Sequence, residues 1–327
     1  MKHKFIFLVV FLLFISPVLS KESENKFKIK FPVNCVLGKD CFFFQYVDRD
    51  PSLGKSFDFR CGRMSYDTHS GTDISLLHEE QMKKGVEVLA VADGKVLATR
   101  NFVEDFRKIT GEEVMTLECG NRVYIEHKDG WGSYYCHLMQ GSVRVKEGQV
   151  VMAGDVLGLI GESGKAPFPH LHIDIIYNRK EIDPFVGPNS LSGCNVKEEP
   201  IWEIPYPYKP TGFIRVGFAD RLLNTGDAWD GKFLDNELSK NAEVIVAWAH
   251  LYGILKNDEI QTTIFRPDGS IFAKNVQIQD KDQRIQIESF GKKNSTPPFQ
   301  VGEWKSEFKL IRNGKLLESR NSSVIIK

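Results

Sequence analysis

The chain has 327 residues, 42% hydrophobic and 26% charged, with 43 basic residues against 43 acidic ones. That length exceeds one small domain and fits two. A net charge of zero removes the electrostatic case for a nucleic-acid partner, which normally leaves a basic excess or patch.

The first twenty residues read as a processed export signal. Lys2 and Lys4 precede an apolar run, Phe5 to Ile15, that is too short for an ordinary membrane span. Pro17 interrupts the run, and Val18-Leu19-Ser20 offers a cleavage site after Ser20. An uncleaved anchor is the alternative. No later stretch could cross a bilayer, so the mature chain is expected to have no membrane span. Export permits disulfides. Six cysteines allow fifteen pairings. Short separation favours Cys35–Cys41, a hairpin-like stretch between them favours Cys119–Cys136, and Cys61–Cys194 could tie the ends of the central region. No Cys-x-x-Cys spacing supports a zinc knuckle.

Residues 21–60 read as a lead-in. Over 61–193 short strands alternate with glycine turns. Val86 to Ala92 and Lys95 to Ala98 read as a hairpin about Asp93-Gly94. Val143-Arg144-Val145 and Val150-Val151 flank a second turn, and Val156 to Ile160 leads through a glycine loop to a histidine-bearing strand. The helical candidate is Leu76 to Lys83. Asn101 to Glu118 reads as a long insertion over the sheet. Prolines 205, 207 and 210 mark a stiff connector at 194–210. Over 211–327, strands at 243–248, 261–265 and 303–310 are punctuated by turns at Pro267-Asp268-Gly269 and Asn313-Gly314, which predicts a small β-sandwich-like domain.

The most informative motif is Pro169-His170-Leu171-His172-Ile173-Asp174. Residues two apart on a strand share a face. His170 and His172 therefore stand side by side, while Leu171 and Ile173 face a core. A lone His-x-His is more often a surface strand than a site. Here it is joined by His69-Ser70-Gly71-Thr72-Asp73, read as a loop entering a strand, and by His137 at a strand end in Tyr135-Cys136-His137-Leu138. Two histidines and a carboxylate with water fourth form a known catalytic zinc set.

These motifs, with Val88 to Val96 and Val145-Lys146-Glu147-Gly148-Gln149, resemble the lysostaphin/LytM-type zinc metallopeptidases, which cleave peptide bonds in peptidoglycan. The resemblance covers roughly Cys61 to Val186. It implies a mainly β fold, with an antiparallel-sheet peptidase domain ahead of the second domain. It implies one Zn2+ held by His69, Asp73 and His172, with His137 and His170 as catalytic histidines. The expected partners are peptidoglycan stem or cross-link peptides, met in the periplasm or at the secreted, cell-wall face. The run Ala166-Pro167-Phe168-Pro169 departs from the family, where many relatives carry glycine before the proline. The cysteines resemble those of an exported subgroup. Zinc lowers the pKa of bound water, and with no His-Glu-x-x-His a histidine can serve as base. Asp174 could orient His172 or be an unrelated solvated carboxylate. The alternative function is that of a metal-free relative that binds cell wall or activates murein amidases, which predicts missing ligands. His78 is expected to face solvent, and His127 and His250 to be structural. Trp202, Tyr206 and Tyr208 are expected to pack rather than bind glycan.

Overall fold

The computed structural model describes residues 27–106, 112–235, 237–293 and 298–327. The expected signal segment lies outside them, as does part of the expected insertion. Among the described residues no helix is long and apolar enough to cross a membrane.

The first domain comprises β1 (Cys41–Gln45), β2 (Thr72–Leu76), α1 (Glu79–Lys83), β3 (Glu87–Leu89), β4 (Gly94–Arg100), α2 (Glu113–Leu117), β5 (Asn121–Glu126), β6 (Trp131–Leu138), β7 (Val150–Val151), β8 (Val156–Leu159), β9 (His170–Tyr177) and β10 (Lys180–Ile182). Its main sheet runs β1-β2-β9-β6-β5-β4-β7, with β10 also on β9, and every pairing is antiparallel. The alternation expected around the paired histidines holds along β9. Leu171, Ile173 and Ile175 are at most 1% exposed on the core face. His170 and His172 take the other face.

Several local expectations fail for long-range reasons. Val86–Ala92 and Lys95–Ala98 do not form a hairpin. β3 instead pairs with β8 in a separate two-stranded sheet, and β4 pairs with β5 and β7. The helix expected from Leu76 begins only at Glu79, because Leu76 completes β2 and pairs with Cys41. His78 is the N-cap, its Nδ1 accepting from the Gln81 N–H at 3.1 Å, so it does not simply face solvent. Cys41–Gln45, inside the expected lead-in, is a fully buried strand of the main sheet.

All three favoured disulfides form: Cys35–Cys41, Cys61–Cys194 and Cys119–Cys136. Ile201 and Trp202 of the expected connector are buried in the first core. Tyr208 Oη donates to Asp58 Oδ2 at 2.8 Å, so these aromatics pack as expected.

The second domain comprises β11 (Gly212–Ala219), α3 (Thr225–Trp229), β12 (Glu237–Leu238), β13 (Val244–Ile254), β14 (Glu259–Phe265), β15 (Ile271–Ile278), β16 (Gln283–Lys293), β17 (Gly302–Arg312) and β18 (Lys315–Ile326). Sheets β11-β13-β16 and β12-β18-β17-β14-β15 enclose a second core. Both predicted turns join strands, Pro267–Gly269 between β14 and β15 and Asn313-Gly314 between β17 and β18. β13 is buried almost throughout. Ile245, Ala247, Ala249 and Leu251 fill the sandwich core. On its other face Tyr252 joins the first domain's core, together with Ile214 and Trp229. A strand covered on both faces reads as a near-continuous apolar run, and here the second cover is shared between Trp229 of α3, over His250, and the first domain's Phe42, against Tyr252.

Candidate active site

Cross-strand register builds the site. Asp73 on β2 pairs directly with His172 on β9, so both side chains leave the same face. His172 Nδ1 lies 2.9 Å from Asp73 Oδ1. His69, in the loop entering β2, brings Nε2 to 3.1 Å from Asp73 Oδ1 and 3.1 Å from His172 Nδ1. These three donor atoms form a compact triangle that could hold a metal ion. Zinc bonds near 2.0–2.1 Å place tetrahedral donors about 3.3 Å apart, so the triangle needs little opening to seat that ion.

The hydrogen bonds behind the triangle orient both imidazoles. His69 donates Nδ1–H to the Tyr46 carbonyl at 2.7 Å, which leaves Nε2 as the lone pair towards Asp73. His172 donates Nε2–H to Asp174 Oδ1 at 3.0 Å and keeps Nδ1 for the centre. Asp174 is therefore an orienting carboxylate, and the solvated alternative is set aside. Gly71 is required by the same approach. A Cβ there would meet His172 Nε2 at 2.6 Å and Asp174 Oδ1 at 2.8 Å.

Burial pushes the Asp73 carboxyl up, but the imidazoles of His69, His170 and His172 outweigh it and hold it well below the usual carboxylate range. Burial pushes His172 down, but Asp174 and Asp73 outweigh it and raise it well above the ordinary histidine value. The anionic field that retains a proton there would also retain a dication.

His137 and His170 stand beside the triangle, their rings 4.6 Å apart. His137 ends β6 with φ +62°, a conformation uncommon outside glycine. Its N–H donates to the Cys119 carbonyl at 2.8 Å, next to the Cys119–Cys136 disulfide. Its Nδ1–H donates to the Ser163 carbonyl at 2.8 Å. His170 Nδ1–H donates to the Phe168 carbonyl, also at 2.8 Å. Each ring thus keeps Nε2 free, that of His170 lying 3.8 Å from Asp73 Oδ1. Burial, reinforced by the neighbouring imidazoles, pushes His137 well below the ordinary value. Burial lowers His170 too, partly offset by Asp73. Two neutral imidazoles result.

All five predicted site residues converge. Two neighbours escaped the sequence reading. The Tyr66 ring packs 4.4 Å from that of His69. Glu162 lines the same cavity of about 730 Å3 as Tyr66, His137, Phe168 and His170. Burial, with Glu79 and Asp105 nearby, pushes its carboxyl up to about 8. No motif signals either; Tyr66 has only its closeness to His69, and Glu162 only its place in the glycine loop. His127 is structural as expected, bonded to the Asp93 carbonyl and Ser133 Oγ.

Residues 67–184 match the model of Peptidase family M23. This segment is similar to M23 peptidase domains. The chain is 34% identical over 107 residues to the cell division protein DipM of Caulobacter vibrioides, covering 31% of this chain and 15% of that protein. It is 31% identical over 131 residues to the peptidoglycan DD-endopeptidase ShyA of Vibrio cholerae, covering 40% of this chain and 25% of that one. The chain spans about a quarter or less of the length of these relatives. Among solved structures, the catalytic domain of lysostaphin from Staphylococcus simulans aligns at 21% identity. That alignment covers 43% of this chain and 86% of the other, with a TM-score of 0.28.

Proposed function

We propose that this chain is an exported, zinc-dependent endopeptidase that hydrolyses peptide bonds in peptidoglycan cross-links. The observation carrying this reading is the donor triangle of His69, Asp73 and His172 beside two neutral histidines in one cleft. The M23 match and relatives named as peptidoglycan endopeptidases support the substrate class. Three disulfides fit an oxidising compartment.

His69 Nε2, Asp73 Oδ1 and His172 Nδ1 would hold the metal, with Tyr46 and Asp174 fixing the two rings. Bound zinc supplies Lewis acidity, which lowers the pKa of water and polarises a carbonyl. His137 and His170 do the proton work. Each has Nδ1–H committed to a backbone carbonyl, so Nε2 can accept a proton from the attacking water and return it to the leaving amine. In the protonated state either Nε2–H can donate to a developing oxyanion.

The test is zinc content and muropeptide release for His69→Ala, His172→Ala and His170→Ala in the full chain. The first two should lose both metal and activity. The third should keep metal and lose turnover. Undiminished peptidoglycan digestion by all three would overturn the assignment. A parent chain that neither holds zinc nor cuts would point to the metal-free activator instead.

A further inference from the structure

His170 is oriented by the carbonyl of Phe168, and Phe168 is oriented by the second domain. The Phe168 ring stacks on Trp229 of α3, centroids 4.8 Å apart and planes 16° from parallel. Phe44 closes it edge-on at 5.0 Å, and the His170 ring lies 4.7 Å away. Phe168 sits between Pro167 and Pro169, which restrict the backbone on both sides. Its ring is therefore the handle by which the rest of the molecule fixes this turn.

Trp229 is itself firmly held. Asn224 and Asp227 form a capping box at the start of α3. Asp227 also accepts from Arg221 and Lys232 at 2.8 Å each. The Ala228 carbonyl accepts from Arg215 at 3.1 Å. His250 on β13 packs edge-on to the Trp229 ring at 4.6 Å.

We propose that Trp229 is a positioning residue for His170, so that the second domain completes the active site of the first. The proposal rests on the peptidase reading above for its effect on turnover, but not for its effect on His170 itself. Apolar contact alone would keep the domains together. The near-parallel stack adds a constraint on the plane of Phe168, and through its carbonyl on the His170 ring. A catalytic group misplaced by about 1 Å costs on the order of 10²-fold in rate.

The experiment compares Trp229→Leu and Trp229→Phe with the parent, using the full, zinc-loaded chain labelled with 15N-histidine. Trp229→Leu keeps an apolar contact and loses the stacking plane; Trp229→Phe keeps a plane. In Trp229→Leu the slowly exchanging His170 Nδ1–H resonance should disappear. Zinc should remain one per chain, and kcat should fall about 10²-fold with KM nearly unchanged. Trp229→Phe should recover most of both signals. If Trp229→Leu does not fold, Phe168→Leu removes the same stack from the other side and is read identically. A folded variant with the parental His170 resonance and parental kcat overturns the proposal. A parent without turnover sinks the peptidase reading alone, and the resonance then decides the role of Trp229.

Discussion

His172 donates its Nε2–H to Asp174 Oδ1 at 3.0 Å, from two positions away on the same face of β9. The strand period places the carboxylate behind the imidazole, and the bond turns Nδ1 towards Asp73. A metal site inherits its tautomer from such a partner. Asp174→Asn should therefore lower zinc affinity by about 10–100-fold while leaving the fold intact. Competition titration against a chelator measures this, and an unchanged dissociation constant would refute the orienting role.

Gly71 offers a harsher perturbation at the same point. A Cβ would lie 2.6 Å from both His172 Nε2 and the Ile173 carbonyl. The carbonyl belongs to a central strand and cannot retreat, so the imidazole must move. Gly71→Ala should lose more zinc affinity than Asp174→Asn and about 1–3 kcal/mol of stability. Metal analysis after dialysis, paired with urea unfolding, separates the two losses. Full zinc retention would show that the site accommodates the methyl group.

Arg49 and Asp183 tie the stretch after β1 to the far end of the first domain. Both are about 2% exposed, with Nη1 3.7 Å from Oδ2. Arg49 also donates to the carbonyls of Gly193, Ser190 and Ser192. Burial pushes the Asp183 carboxyl up to about 7 despite the Phe185 N–H and Arg49. Arg49→Met should cost about 3–5 kcal/mol, because it strands a buried carboxyl and three carbonyls. Adding Asp183→Asn should recover part of that. A loss below about 1 kcal/mol in urea unfolding would mean the pair is dispensable.

His250 sets a pH dependence. Burial, with Arg215 adding to it, pushes its imidazole down to about 3, and neither ring nitrogen has a hydrogen-bond partner among the described residues. The folded chain therefore stays unprotonated there while the unfolded chain takes up a proton below about 6.5. The resulting stability is fully present above pH 6.5 and lost as pH falls towards 3. By linkage the loss attributable to His250 is about 2 kcal/mol at pH 5 relative to pH 7. His250→Leu should be correspondingly less sensitive to acid. Equal losses in parent and variant, measured by urea unfolding at both pH values, would exclude His250 as the cause.

Where information was local, the sequence was readable. The two-residue period exposed the shared face of His170 and His172. Turn residues located Asn313-Gly314 and Pro267–Gly269, and short or hairpin-flanking separations pointed to two of the disulfides. Where structure depends on what lies across a sheet, the reading failed. β3 looked like the partner of β4 because a turn joins them, yet its donors and acceptors are met by β8. Cys41–Gln45 gave no alternation because it is buried on both faces.

By itself the sequence determined the residue types of the candidate site, their order and the strand that carries both His170 and His172, since residue chemistry and backbone period are local properties. Only the tertiary structure decided that Asp73 sits opposite His172, that Glu162 enters the cleft with a raised pKa, and that Trp229 lies on Phe168. Register, desolvation and domain docking arise from contacts between residues far apart in the chain, and no window of sequence contains both sides of such a contact.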